Sequence, residues 1–155
     1  MEALCCGGGR LTSEARAPAG VPPGGVPSRA AAVRSILGEV AKIAGVRGGL
    51  LIASDGFVIA STLPAEVAVD PLAALATTLG RELELGTGRL NRGSFSSAFF
   101  SADEGSVFLG PSPLGFVLVL TERGGEMGTV RGEFRKALDT LHAAWRAGDH
   151  TGGKL

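Results

Sequence analysis

Gly48-Gly49-Leu50-Leu51-Ile52-Ala53-Ser54-Asp55-Gly56-Phe57-Val58-Ile59-Ala60 decides the fold. Two apolar runs flank an Asp-Gly pair. Asp-Gly between such runs is a strong hairpin signal, because glycine reaches positive φ without steric cost and aspartate bonds its own turn. The stretch therefore reads as two antiparallel strands, Arg47–Ser54 and Phe57–Thr62. Their near-continuous apolar character predicts burial on both faces.

Upstream, Val33, Ile36, Leu37, Val40 and Ile43 recur at helical spacing, which predicts a helix over 29–44 with Ser28 as its cap and Gly45 as its stop. Downstream, Asp70-Pro71 opens a second helix, with Asp70 at the N-cap and Pro71 at the first helical position. It runs to Leu85, or to Arg89 at the longest. Leu72, Leu75, Leu79 and Leu83 form one stripe, and Ala73, Ala76, Thr77 and Gly80 form a small-residue strip beside it. Gly80 costs about 1 kcal/mol of helix stability against alanine, which implies a close-passing backbone as its reason. Three strands follow: 93–102, turned by Asp103-Glu104-Gly105; 106–110, broken by Pro111-Ser112-Pro113; and 114–121. A last helix over 125–147 has Val130, Phe134, Leu138 (or Ala137), Leu141 and Trp145 as its buried stripe. The expected fold is α+β, a five-stranded antiparallel sheet with three helices in the order α-β-β-α-β-β-β-α.

The 155 residues make one domain, with 45% hydrophobic and 19% charged residues. Fifteen basic side chains balance fifteen acidic ones, so no basic excess points to nucleic acid or to an anionic membrane surface. No apolar run approaches a bilayer's span, and no secretory signal opens the chain. Residues 1–28 hold Gly7, Gly8, Gly9, Gly20, Gly24 and Gly25 and half of the eight prolines. They contain almost nothing to repay ordering and are expected to be a disordered leader. Residues 29–147 are the expected folded domain, and 148–155 a flexible tail. Cys5 and Cys6 are adjacent and lack partners elsewhere, so no disulfide framework exists and a cytoplasmic setting is expected. Both read as free thiols on the leader.

Catalytic constellations are missing. The histidines are His142, late in the last helix, and His150, in the tail, and no Gly-x-Ser-x-Gly elbow exists. Two vicinal cysteines and two remote histidines do not make a metal site. Asp103-Glu104 and Glu82/Glu84 read as a turn and a solvated helix face. Gly7-Gly8-Gly9 lacks the Lys-Ser/Thr of a phosphate loop, and Gly86-Thr-Gly88-Arg-Leu-Asn91 follows a helix where a dinucleotide fingerprint needs a strand. No catalytic residue, cofactor or metal is expected. Arg47, Arg89 and Arg92 read as solvated loop charges.

The hairpin 48–60, the Ala-rich helix 70–85 and the strand Gly115-Phe116-Val117-Leu118-Val119-Leu120 with its closing helix resemble, in order and spacing, the roadblock domain. That is the fold of the roadblock dynein light chains and of bacterial MglB-type proteins. The resemblance spans about residues 30–146. It implies a non-catalytic homodimer, or a heterodimer with a paralogue, joined through the middle helix and the third strand. Carried over here, the dimer surface would comprise Leu72, Ala73, Ala76, Thr77, Leu79, Gly80, Leu83, Phe95, Ser97 and Phe99. It further implies binding and regulation of a small Ras-like GTPase, as an activator or scaffold in polarity, motility or signalling. The competing expectation is a profilin- or PAS-like small-molecule sensor, with Phe57, Phe95, Phe99 and Phe100 lining its pocket.

Overall fold

Val33, Leu37 and Val40 turn to one side of a helix, α1 (Arg29–Ala41), and are almost fully buried. This is a computed structural model, and it describes residues 29–149. The leader with Cys5 and Cys6, the Ser28 cap, His150 and residues 150–155 lie outside the described residues. After α1 the chain tightens, with Lys42 N–H and Ile43 N–H donating to the carbonyls three residues back. It reverses at Gly45, whose φ of +87° suits glycine.

The hairpin forms as read, from β1 (Val46–Ala53) and β2 (Val58–Ser61). Its loop is Ser54-Asp55-Gly56: Gly56 N–H donates to the Ala53 carbonyl at 2.9 Å, Asp55 Oδ1 accepts from Phe57 N–H, and Gly56 holds φ +96°. Leu50, Leu51 and Ile52 are wholly buried, as expected of a strand covered on both faces. The second strand departs from that expectation, because β2 lies at the sheet edge and alternates between half-buried and exposed.

The middle helix, α2 (Val69–Arg89), begins two residues earlier than expected. Ala68 occupies the N-cap without a side-chain bond, so Asp70 sits in the first turn, where its charge complements the helix dipole. Its far end closes on Asn91 at φ 55°, with Asn91 N–H to the Gly88 carbonyl at 3.1 Å and Arg92 N–H to the Thr87 carbonyl at 2.9 Å. This paired 5→2 and 6→1 bonding satisfies the last carbonyls of the helix.

The remaining strands are β3 (Ala98–Ala102), β4 (Gly105–Ser112) and β5 (Gly115–Thr121), and the closing helix is α3 (Met127–Asp149). Two expectations are corrected here. The third strand starts at Ala98, and residues 93–97 are irregular. The fourth continues through Pro111, which pairs with Phe116 in β5. The two are linked: proline has no N–H with which to bond a strand continuing back through Ser96 on its other side.

The sheet runs β2-β1-β5-β4-β3, antiparallel throughout. The helices α1 and α3 cover one face over Leu51, Phe108, Val117 and Val119. The opposite face packs under α2 through Leu50, Ile52, Leu109, Phe116 and Leu118. Alternation along each strand therefore feeds two separate apolar layers. Burying a single leucine or phenylalanine in either contributes about 1.5–3 kcal/mol. Of the stripe expected of α3, Val130, Phe134, Ala137, Leu138 and Leu141 are buried, while Trp145, near the end of the helix, is only half-buried.

Candidate interaction surface

The middle helix meets its own sheet through small residues. Ala73, Ala76, Thr77 and Gly80 are buried at the spacing i, i+3, i+4, i+7, one helical face. A Cβ built on Gly80 would lie within 2.6 Å of the Phe116 ring. The sequence predicts a passing backbone at this glycine; the neighbour is an aromatic ring. Thr77 keeps its hydroxyl satisfied on the Ala73 carbonyl at 2.8 Å. Side chains so covered present nothing outward. Leu72, Leu79 and Leu83 flank the strip, half-buried against the same layer.

What α2 shows to the outside is a different ridge, Leu75, Thr78, Glu82 and Leu85, spaced three, four and three. Leu75 is 55% exposed and Leu85 53%. Neither was singled out from the sequence as an interface residue. The signal was present: once the Ala/Gly strip is assigned inward, Leu75 falls on the far side of the helix.

The sheet has two edge strands, β2 and β3, and β3 is the one with two exposed phenylalanines. Phe99 is 49% exposed and Phe100 39%. Phe100 is registered opposite Val107, which packs on the α2 layer, so it lies on the α2 face. Phe99 lies on the other face, stacked on Phe108 with ring centroids 5.6 Å apart, and Phe108 in turn meets Phe134 at 5.7 Å. Ser97 is exposed just before the strand. Phe95 is buried under the α2 layer and is a core residue of this protomer. Of the ten interface positions expected from the sequence, Ser97 and Phe99 are open to a partner, Leu72, Leu79 and Leu83 partly so, and Ala73, Ala76, Thr77, Gly80 and Phe95 are spent inside the protomer.

A groove of about 990 Å³ runs between α3 and the segment leading into β3. Phe99, Phe108 and Phe134 form its apolar wall, Ser96 and Ser97 one lip, and Arg131 and Arg135 the other. His142 enters it with Nε2 3.3 Å from the Pro111 carbonyl oxygen. The four phenylalanines proposed for a sensor pocket do not converge: Phe95 and Phe99 line this groove, Phe57 stands 73% exposed at the hairpin, and Phe100 lies on the opposite face. Among the described residues no three His, Cys, Asp or Glu side chains gather as metal ligands. Nor is any helix there long and apolar enough to cross a membrane. Arg47 pairs with Glu66 at 3.0 Å on the surface, while Arg89 and Arg92 are exposed at the end of α2. Lys136, on the exposed side of α3, is held above the ordinary lysine range by its hydrogen bond to Glu133.

Helices on both faces of a five-stranded antiparallel sheet in this order superpose on Myxococcus xanthus MglB with a TM-score of 0.71, over 79% of this chain and 93% of that one, at 16% identity. The chain has the roadblock fold. An MglB with tetrameric arrangement matches at a TM-score of 0.67 and 18% identity, over 79% of this chain and 96% of that one. The Roadblock/LC7 domain from Streptomyces avermitilis matches at 0.62 and 16%, over 74% and 94%. By sequence, an uncharacterized protein of Methanocaldococcus jannaschii is 26% identical over 108 residues, 70% of this chain and 95% of that protein. No family model matches the chain. The roadblock fold accounts for the layout: α2 alone on one face, α1 and α3 on the other, and β3 left as an uncovered edge.

Proposed function

We propose that this roadblock chain is a non-catalytic interaction module that pairs with itself through β3 and α2 and, as a dimer, binds and regulates a small Ras-like GTPase. The observation that carries the pairing is the β3 edge. Every second residue of the five-residue strand turns its backbone N–H and C=O outward beside two exposed phenylalanines, the kind of edge that monomers normally blunt. Pairing two such edges joins two sheets into one and brings Phe100 of each protomer toward the two-fold axis on the α2 face. Leu75 and Leu85 on the outer ridge of α2 extend the apolar surface of that face. An MglB with tetrameric arrangement has the same fold, which agrees with self-association. The GTPase partner, and a role in polarity, motility or signalling, rest on the roadblock resemblance. The cytoplasmic setting follows from such a partner.

Light scattering coupled to size exclusion tests the pairing. A dimer is expected at micromolar concentration, and Phe100→Asp is expected to give a folded monomer, because a carboxylate would be buried at the axis. A wild-type monomer throughout that range refutes the pairing. For the GTPase, the immobilised dimer is challenged with lysate of its source containing GDP or a non-hydrolysable GTP analogue, and retained proteins are identified by mass spectrometry. Retention of a Ras-like GTPase of about 20 kDa mainly with the analogue supports the reading. Its absence in both conditions counts against it.

A further inference from the structure

Two features of the surface remain unused in the single protomer. One is the β3–β4 turn, where Asp103 and Glu104 are both exposed. The other is the groove beside α3, where Arg131 and Arg135 line the wall together with the carboxylates Glu84 and Asp139. Among the described residues none of Asp103, Glu104, Arg131 and Arg135 makes an ion pair within the protomer; the pairs formed are Glu39–Lys42, Arg47–Glu66 and Glu133–Lys136. Unpaired opposite charges at two places on one protomer suit a contact between two copies.

The register supplies the geometry. A strand pairing with its own copy about a two-fold axis is antiparallel, and directly opposed residues lie on the same face of the sheet. Only registers in which opposed residue numbers sum to an even value keep each layer continuous. Full overlap of the five-residue strand 98–102 with itself centres on Phe100. Residue 98 then opposes 102, so the turn that begins at Asp103 follows beside the irregular segment that leads, through Ser96 and Ser97, into the other protomer's β3. Ser96 and Ser97 form the lip of the groove that faces Arg131 and Arg135.

We propose that in the dimer the Asp103-Glu104 turn of each protomer docks at the mouth of the other's groove, against Arg131 and Arg135. The occupant of the groove mouth is therefore a second copy of this chain. The two symmetric charge contacts fix the register of the β3–β3 pair and select self-pairing over chains that lack them. The proposal rests on the pairing through β3 stated above and adds which charges set it.

A charge swap in the full chain tests it. One variant carries Asp103→Lys and Glu104→Lys, and the other Arg131→Glu and Arg135→Glu. Each alone places like charges together at both contacts. Mixed, the two restore opposite charges at both contacts of a heterodimer. Sedimentation equilibrium at low salt is expected to show each variant dimerising at least about 10-fold more weakly than wild type, and the equimolar mixture recovering to within about 3-fold. The loss should shrink at high salt, where exposed charges are screened. Thermal melting of each variant checks that it folds, and all four positions are exposed. A monomeric wild type would remove the β3 pairing and this proposal together. A dimeric wild type with both variants equally tight leaves the pairing standing and overturns the docking. Weak variants whose mixture does not recover overturn it as well, because the charges then act without meeting one another.

Discussion

Gly80 and Gly86 lie six residues apart in α2, and the same substitution should have opposite signs at the two sites. In an unobstructed helix, replacing glycine by alanine stabilises by about 0.5–1 kcal/mol, because alanine loses less backbone freedom on folding. At Gly86 a new Cβ meets nothing within 4 Å, so Gly86→Ala should gain about that amount. At Gly80 the Cβ would fall within 2.6 Å of three atoms of the Phe116 ring. Ordinary contact needs about 1 Å more. The ring cannot swing aside freely, since Phe116 is 3% exposed and packed among Leu50, Ile52, Leu109 and Leu118. Either the ring leaves its rotamer or α2 lifts from the sheet. Such overpacking costs about 1–3 kcal/mol, which outweighs the propensity gain and leaves Gly80→Ala about 1–2 kcal/mol less stable. For a domain of this size that lowers Tm by about 3–8 °C, while Gly86→Ala raises it by about 1–4 °C. Urea unfolding at a fixed protein concentration, with unchanged m-values, reads the difference directly. Equal stabilisation by both substitutions would show that the α2–β5 contact has slack and that Gly80 is not there for close packing.

Thr121→Val should destabilise by about 1–3 kcal/mol in the same assay. The buried hydroxyl accepts from Ser106 N–H at 3.0 Å and donates to the Ser106 carbonyl at 3.2 Å, and valine leaves both without that partner. Leu79→Asp should lower stability by about 2–4 kcal/mol, because Leu79 leans on the α2 layer and its replacement carries a charge there; unchanged melting would place the helix in the wrong phase. Arg47→Ala should change stability by at most about 0.5 kcal/mol, since its bridge to Glu66 is solvent-exposed on both sides, and a larger loss would mean the pair orders the segment after β2.

The parts of the fold written in local sequence were legible. Asp55-Gly56 between two apolar runs makes a turn whatever the remainder of the chain does. The apolar residues of α1 and α3 occupy one face each, so only one orientation buries them. The middle helix was not legible in the same way. Its leucine stripe and its alanine–glycine strip are both apolar, and helical periodicity does not rank them. The short side chains take the inner face because they let α2 approach Phe116, and that reason exists only once Phe116 is in place across the sheet. The start of β3 was likewise not local, since residues 93–97 alternate like a strand but face Pro111 in a neighbour that the chain reaches only later.

The amino-acid sequence by itself therefore determined the order of elements, the hairpin, and which faces of the first and last helices are buried, because each follows from residues within one or two turns of one another. It also determined that no familiar catalytic or metal-binding motif is present. Only the tertiary structure decided which residues remain outside. Exposure of Leu75, Phe99, Phe100, Asp103 and Arg131 is what is left after two layers have closed on one sheet, and no residue's neighbours in sequence carry that information.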